Sequence, residues 1–432
     1  MEKPSQKIKI ITLGCAKNQV DSEALWSQLR GNDLEVTSDI SEASIAVVNT
    51  CGFIDEAKKQ SVDTILETVK LKNEGKLEKV IVMGCLSERY HNDLAKEIPE
   101  VDRFFGSNDV PTIVNTLGGN YKYELLGERQ LSTPSYSAYL KISEGCDNPC
   151  SFCAIPLMRG AHRSKPSGQI MDEVMKLVDK GVKELIVIGQ DTTYYGLDLY
   201  SARSLGSLLN SLAGVKELEW VRLMYAYPAK FPLDVLKVYQ ENPTICRYLD
   251  MPIQHAADNV LKSMRRGITR RATESLIDSI RCAVPDIALR TTLITGYPTE
   301  TERDVEELVE FIKAVRFDRL GVFTYSQEDG TGAYGLGDPI PYDEKEARRA
   351  RVMDVQREIS RERNEERIGK KTRAVVERCE EGTLIGRTVW DAPDIDNEIF
   401  ITPANARHLS VGEFVDVLVT DAAEFDLYGE TV

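Results

Sequence analysis

Three cysteines constrain the first quarter of the chain more than any other feature. Cys15, Cys51 and Cys85 are 36 and 34 residues apart, and each closes a short apolar run: Ile8 to Leu13, Ser44 to Thr50 and Lys79 to Met83. Runs of that length, apolar almost throughout, read as strands buried on both faces. Helical patterns follow the first two, at Val20 to Leu29 and in the amphipathic stretch Asp55 to Leu71. Repeated strand and helix units predict an open parallel α/β sheet, whose ligand sites lie at the carboxyl edge of its strands. All three cysteines arrive at that edge. They suit an iron-sulfur cluster with one iron left open; the plain alternative is three small buried residues, a common state of free cysteine.

A second trio, Cys146, Cys150 and Cys153, falls within eight residues just after another apolar run. Structural zinc sites close with four ligands, usually from two separated pairs, so three thiolates from one loop suit a 4Fe-4S cubane better. The competing reading is a zinc knot closed by His162, as in a zinc-containing RNA or protein adaptor. Cys246, Cys282 and Cys379 have no such partners and are expected to be packing residues.

A loose connection at 121–137 leads into six strand-like runs at 138–143, 184–189, 219–225, 247–251, 288–295 and 319–325. Helical patterns at 168–180, 231–240, 256–265, 271–283 and 300–315 separate most of them, which predicts a partial (α/β) barrel with its catalytic face at the carboxyl ends of the strands. Gly189-Gln190-Asp191, Tyr225-Ala226-Tyr227-Pro228, the stretch Asp250 to His255, and Gly296 fall there. Glycine lets backbone approach a ligand closely. His255 reads as a satisfied, partly buried histidine, and Arg159, His162, Arg163 and Lys165 as a substrate clamp. Residues 328–341 close the barrel. The charged helix from Tyr342 to Gly369 reads as a solvent-exposed connector. Short alternating strands over 370–432 predict a small all-β barrel. The fold class is thus multidomain α/β, divided at 1–125, 132–367 and 370–432.

Charge and hydropathy narrow the function. With 54 basic against 69 acidic side chains the chain carries −15, which argues against general polyanion binding. No run approaches the roughly 20 apolar residues of a membrane span. The first apolar run is too short for a secretory leader. A cytoplasmic protein follows, with cysteines as thiols or metal ligands rather than disulfides.

The chain resembles the methylthiotransferase family of radical S-adenosylmethionine enzymes over essentially its whole length. The strings that carry the resemblance are Leu13-Gly14-Cys15-Ala16-Lys17-Asn18, Asn49-Thr50-Cys51, Gly84-Cys85, Gly145-Cys146-Asp147, and Pro252-Ile253-Gln254-His255 followed by Met264-Arg265-Arg266-Gly267. The resemblance implies two 4Fe-4S clusters and S-adenosylmethionine as cofactors. It assigns Cys146, Cys150 and Cys153 to a radical-generating cluster, and Cys15, Cys51 and Cys85 to a cluster that delivers methylated sulfur. Phe152, Gly189, Gln190 and Gly296 become the expected cofactor contacts. The terminal domain resembles TRAM domains, and its Gly386-Arg387 and Asp391 to Asp396 strings point to the branch that modifies an aspartate of a small-subunit ribosomal protein. Asn397 stands where glycine is expected. The other branch modifies an adenosine in transfer RNA. An electron donor and a sulfur donor are implied partners. Six basic side chains against thirteen acidic ones over 370–432 favour a basic ribosomal protein over RNA. On that reading Asp391, Asp394, Asp396, Glu398 and an exposed Trp390 form its docking surface.

Overall fold

The computed structural model describes residues 6–403 and 409–432. Arg407, counted in the charge of the last domain, lies outside the described residues. The N-terminal sheet contains β1 (Lys7–Thr12), β2 (Glu35–Val36), β3 (Ile45–Thr50), β4 (Lys79–Gly84) and β5 (Arg103–Phe104), all parallel in the order β2-β1-β3-β4-β5. The three apolar runs form its centre, and β3 is buried at every residue. The two-residue edges β2 and β5 carry too little apolar pattern to be announced by the sequence. Helices Ala16–Gly31 and Asp55–Asn73 lie on opposite faces, over Leu25 with Val47 on one side and Ile65 with Val80 on the other.

The central sheet begins with β6 (Ser137–Lys141), and the short antiparallel pair β7 (Ser143–Glu144) and β8 (Arg163–Ser164) frames the second cysteine loop. Then come β9 (Glu184–Ile188), β10 (Trp220–Leu223), β11 (Ile245–Asp250), β12 (Ala288–Thr295) and β13 (Arg319–Thr324), parallel in the order β13-β12-β11-β10-β9-β6. Their side chains alternate faces with period two. Leu140, Leu185, Val187, Val221 and Leu289 pack outward under the helices. Tyr139, Ile186, Trp220 and Tyr248 point into the lumen of the open barrel. The connection before β6 is not loose: Arg129 is buried, with Nη1 3.0 Å from Glu173 and Nη2 3.1 Å from Glu23 of the N-terminal domain.

The last five strands, β14 (Lys371–Glu380), β15 (Thr383–Thr388), β16 (Ile399–Thr402), β17 (Phe414–Ala422) and β18 (Leu427–Thr431), close into a barrel in the order β14-β15-β16-β18-β17. The helix before them, Tyr342–Glu365, is no free connector. It buries Val352 and Ile359 in the main core, and Gln356 Nε2 donates to the Phe317 carbonyl at 2.9 Å.

The terminal barrel fills the lower lumen of the central one, and this overturns the docking surface expected at 390–398. Trp390 is 7% exposed and lies under the Arg367 guanidinium at 3.9 Å. Asp391 is 1% exposed and accepts from Arg319 Nε and Nη2 at 2.8 and 2.6 Å. Asp396 takes Arg290 Nε at 3.3 Å, and Glu398 pairs with Arg378 at 2.6 Å. Asp394 alone of the three aspartates is exposed, and it accepts from the Tyr139 hydroxyl at 3.1 Å. The left-handed position of this turn belongs to Asp394 (φ 68°), so asparagine at 397 causes no strain. Deepest is Glu184, whose two oxygens accept from Arg387 at 2.9 and 2.6 Å while Arg222 Nε stands 3.2 Å away. Among the unassigned cysteines Cys246 is buried as expected, whereas Cys282 and Cys379 are exposed.

Candidate active site

The N-terminal trio is assembled by the ends of neighbouring strands. Cys15 precedes the helix Ala16–Gly31, Cys51 follows β3, and Cys85 opens the short helix Cys85–Arg89. Gly14, at φ 86°, shows how close these ends come. A Cβ there would lie 2.6 Å from Cys51 Cβ and 2.8 Å from its sulfur, so only glycine fits. Asn18 laces the edge together, its Nδ2 donating to the Leu13 and Thr50 carbonyls at 2.8 and 3.0 Å. Burial pushes the Cys51 thiol up and the Cys85 thiol up to about 12, and the charges of neighbouring trio members add to both shifts. One group offsets this: Arg159 Nε donates to Cys85 Sγ at 3.2 Å.

The second trio sits on the loop between β7 and β8, and Gly145 (φ 72°) lies directly under the Ala161 carbonyl, leaving no room for a side chain. Burial raises the Cys146 thiol to about 11 and the Cys153 thiol to about 12, and each feels Cys150. Here too an arginine supplies the compensating charge. Arg266 Nη1 donates to Cys150 Sγ at 3.1 Å, and the Tyr227 hydroxyl is 3.7 Å from the same sulfur. Three mutually sensed thiols with a buried guanidinium on one of them form a donor set suited to thiolate-bound iron in both places. The zinc knot does not form. His162 turns its Nε2 to Ser164 Oγ at 3.0 Å, and among the described residues no three His, Cys, Asp or Glu side chains are placed to hold a single metal ion.

Arg159 joins the two sites, which the sequence did not disclose. It leaves the helix Ile155–Arg159 just after Cys153 and enters the N-terminal domain, where it binds Cys85, Asp21 (2.7 Å) and Asn18. Glu144 lies 3.3 Å from Arg159 Nη1 and 2.7 Å from Lys141 Nζ. Burial alone would raise the Glu144 carboxyl, but those two cations outweigh it and hold the group at about 2. Lys141 also pairs with Asp21. The expected clamp therefore dissolves. Arg159 and His162 are buried, Lys165 is bound to Glu173 at 2.5 Å, and Arg163 alone of the four is exposed.

The expected cofactor contacts divide. Gly189 lies against Ser143 Oγ, 2.7 Å from where its Cβ would be, and Gln190 Nε2 donates to Glu144 Oε1 at 2.9 Å. Among the described residues the buried Gln190 Oε1 has no hydrogen-bond partner. Both therefore stand beside the cysteine loop. Phe152 packs half-buried with Val260, Met264 and Tyr297. Gly296 is otherwise engaged: its amide donates to Glu300 Oε1 at 2.9 Å, and Lys345 packs on its Cα. His255 is 1% exposed rather than partly buried; its Nδ1 accepts from the Ala257 amide at 3.0 Å and its Nε2 is 3.2 Å from Glu300.

Comparison with known proteins places this architecture. Residues 7–106 match a family model described as Uncharacterized protein family UPF0004, 140–312 the Radical SAM superfamily and 368–432 the TRAM domain. A Flavobacterium johnsoniae protein named ribosomal protein uS12 methylthiotransferase RimO is 53% identical over 98% of both chains. The protein of that name from Chloroherpeton thalassium is 50% identical over the full length of both. The chain belongs to the RimO family. In fold, this chain resembles two solved radical S-adenosylmethionine enzymes. TsrM from Kitasatospora setae, with cobalamin and a [4Fe-4S] cluster bound, has TM-score 0.57 at 14% identity and covers 74% of this chain and 75% of that one. OxsB, with aqua-cobalamin and S-adenosylmethionine bound, has TM-score 0.52 at 13% identity and covers 77% and 55%.

Proposed function

We propose that this enzyme attaches a methylthio group to the β-carbon of an aspartate in ribosomal protein uS12, using two 4Fe-4S clusters and S-adenosylmethionine. The observation that carries the proposal is the pairing of the two cysteine trios across one domain interface, joined by Arg159. Cys146, Cys150 and Cys153 hold the radical-generating cluster in this assignment, and Cys15, Cys51 and Cys85 the sulfur-delivering one. When bound, these groups supply an electron, a carbon-centred radical and methylated sulfur, chemistry that no side chain can perform on an unactivated carbon-hydrogen bond.

The chain's own part is placement. Asn18 and Gly14 draw the N-terminal strand ends together, and Arg159 and Arg266 balance thiolate charge in buried surroundings. Gln190, with its unpaired carbonyl oxygen, and Gly189, with its bare Cα, are proposed to receive the polar end of S-adenosylmethionine, with Phe152 forming part of the wall. The domains are drawn at 1–125, 132–367 and 370–432. A reductant is required, because cleaving S-adenosylmethionine to methionine and a carbon-centred radical takes up an electron, and a sulfur source is required, because one sulfur atom leaves with each product. Since none of the described helices is long and apolar enough to cross a membrane, nothing in them opposes work in the cytoplasm, where ribosomal proteins are made.

Two measurements test this reading. Anaerobic turnover with uS12 and with unmodified transfer RNA in parallel should add a methylthio mass to the protein alone; addition to the RNA alone defeats the proposal. Anaerobically loaded enzyme should carry about eight irons per chain, falling to about four when Cys15, Cys51 and Cys85 are all replaced by alanine. Unchanged iron in that variant removes the second site.

A further inference from the structure

Lys17 stands two residues beyond Cys15, in the first turn of the helix Ala16–Gly31, and projects from the N-terminal domain toward the central barrel. Its side chain is nine-tenths buried, at 8% exposure, and Nζ sits 3.1 Å above the Tyr225 ring. Among the described residues it has no hydrogen bond and no ion pair. Nζ itself keeps some accessible surface, so a substrate group can reach it, and a ring face compensates only part of what the ammonium loses in its largely enclosed position. The other cations around the lumen are matched. Lys141, Arg159, Arg222 and Arg290 each hold a carboxylate, and Arg266 faces Cys150.

The platform under Lys17 is held in an unusual shape. Tyr225 has φ 58°, a left-handed conformation that a tyrosine seldom adopts without being held there. Its amide donates to Asp250 Oδ2 at 3.0 Å, and its carbonyl accepts from the Thr192 amide at 3.1 Å. Two residues on, the Tyr227 hydroxyl reaches Cys150 Sγ. One short segment of chain therefore contacts the ammonium that belongs with Cys15 and a thiol of the opposite trio. The function proposed above places the reacting carbon in that interval.

We propose that the Lys17 ammonium binds the side-chain carboxylate of the substrate aspartate. This rests on the function proposed above, in which the reacting carbon is bonded directly to that carboxylate. Pairing the carboxylate supplies the anion that the buried cation lacks and fixes the neighbouring carbon between the trios. It also gives the site its selectivity, because asparagine offers no charge and an adenosine no carboxylate.

The test uses full-length, iron-loaded enzyme with uS12 carrying either the modified aspartate or asparagine in its place, measuring equilibrium binding and kcat/KM. Wild-type enzyme is expected to prefer aspartate by about 10- to 100-fold, the usual penalty for leaving one member of a desolvated charged pair unmatched. Lys17→Met is expected to lower kcat/KM on the aspartate protein by a similar factor and to shrink the preference to under about 3-fold, while Lys17→Arg restores most of it. Equal binding of both substrates by wild-type enzyme overturns the assignment, whatever the variants do. An undiminished preference in Lys17→Met overturns it as well. Wild-type enzyme that modifies no uS12 at all defeats the underlying function, an outcome distinct from modification without discrimination.

Discussion

Replacing Glu184 by glutamine is expected to loosen the terminal β barrel from the rest of the chain at a cost of about 3–5 kcal/mol. Glu184 is wholly buried, and its carboxylate is the common partner of Arg387 from the terminal barrel and Arg222 from β10. Glutamine keeps the shape and removes the charge, so the buried Arg222 loses its counter-ion and Arg387 is left with Glu377 alone, at 3.1 Å. Limited proteolysis at 366–370 during a urea titration should release the C-terminal fragment from the variant well before the wild type. The exposed pair Arg373 and Glu219 spans the same interface at its rim, and its loss should cost no more than about 1 kcal/mol. Equal resistance of Glu184→Gln and wild type would show that the charge is dispensable. Acid should have a similar effect. Burial raises the Glu184 carboxyl, but the Arg387 and Arg222 charges outweigh it and bring the group below its ordinary 4.5, and Asp318 is likewise lowered from 3.8. Both contributions are complete above those ordinary values and fade as pH falls through the depressed ones. Asp396, raised by its burial, acts in the opposite sense and is most favourable when protonated.

Replacing Cys150 by alanine is expected to abolish 5'-deoxyadenosine formation from S-adenosylmethionine under strong reductant, whereas replacing Cys51 spares it. The two variants remove one thiol each from different trios, and only the barrel trio is assigned to cofactor cleavage. The Cys51 variant should therefore consume cofactor yet add no methylthio group to uS12. Chromatography of the reaction products separates the cases. Loss of cleavage in the Cys51 variant, with the barrel iron still present by spectroscopy, would count against the division of labour.

The sequence disclosed apolar rhythm well and charge pairing poorly. All six strands of the central sheet and the three central strands of the N-terminal sheet follow from runs of buried residues, and the cysteines mark their ends. The periodicity of a strand depends on local burial, which nearest neighbours in the chain reveal. The partner of a charged residue depends on tertiary placement. Arg159 follows the second cysteine loop and reads there as a substrate clamp, yet besides Glu144 its partners are residues 18, 21 and 85 of the N-terminal domain. The acids at 391 and 396 read as a docking surface because nothing nearby in sequence neutralises them, and Arg319 and Arg290 do so from another domain. The helix Tyr342–Glu365 misled for the same reason: its many charges concealed a narrow apolar stripe through Val352 and Ile359. Lys17 carries no signal in the sequence, because what sets it apart is a lack of polar partners among the described residues, which only the fold reveals.

The seating of the terminal barrel in the lumen also governs traffic. The central sheet alone would be a trough open below, through which an extended polypeptide could be threaded. Trp390, Asp391 and Arg387 close its lower end, and the N-terminal domain is tied to the upper rim through Asp21 to Lys141 of β6 and through Lys58 and Arg89 to Glu328 beyond β13. A substrate therefore reaches the two trios from the side of the N-terminal domain and not from below, and the terminal barrel acts as the floor of the site as well as an anchor for the fold.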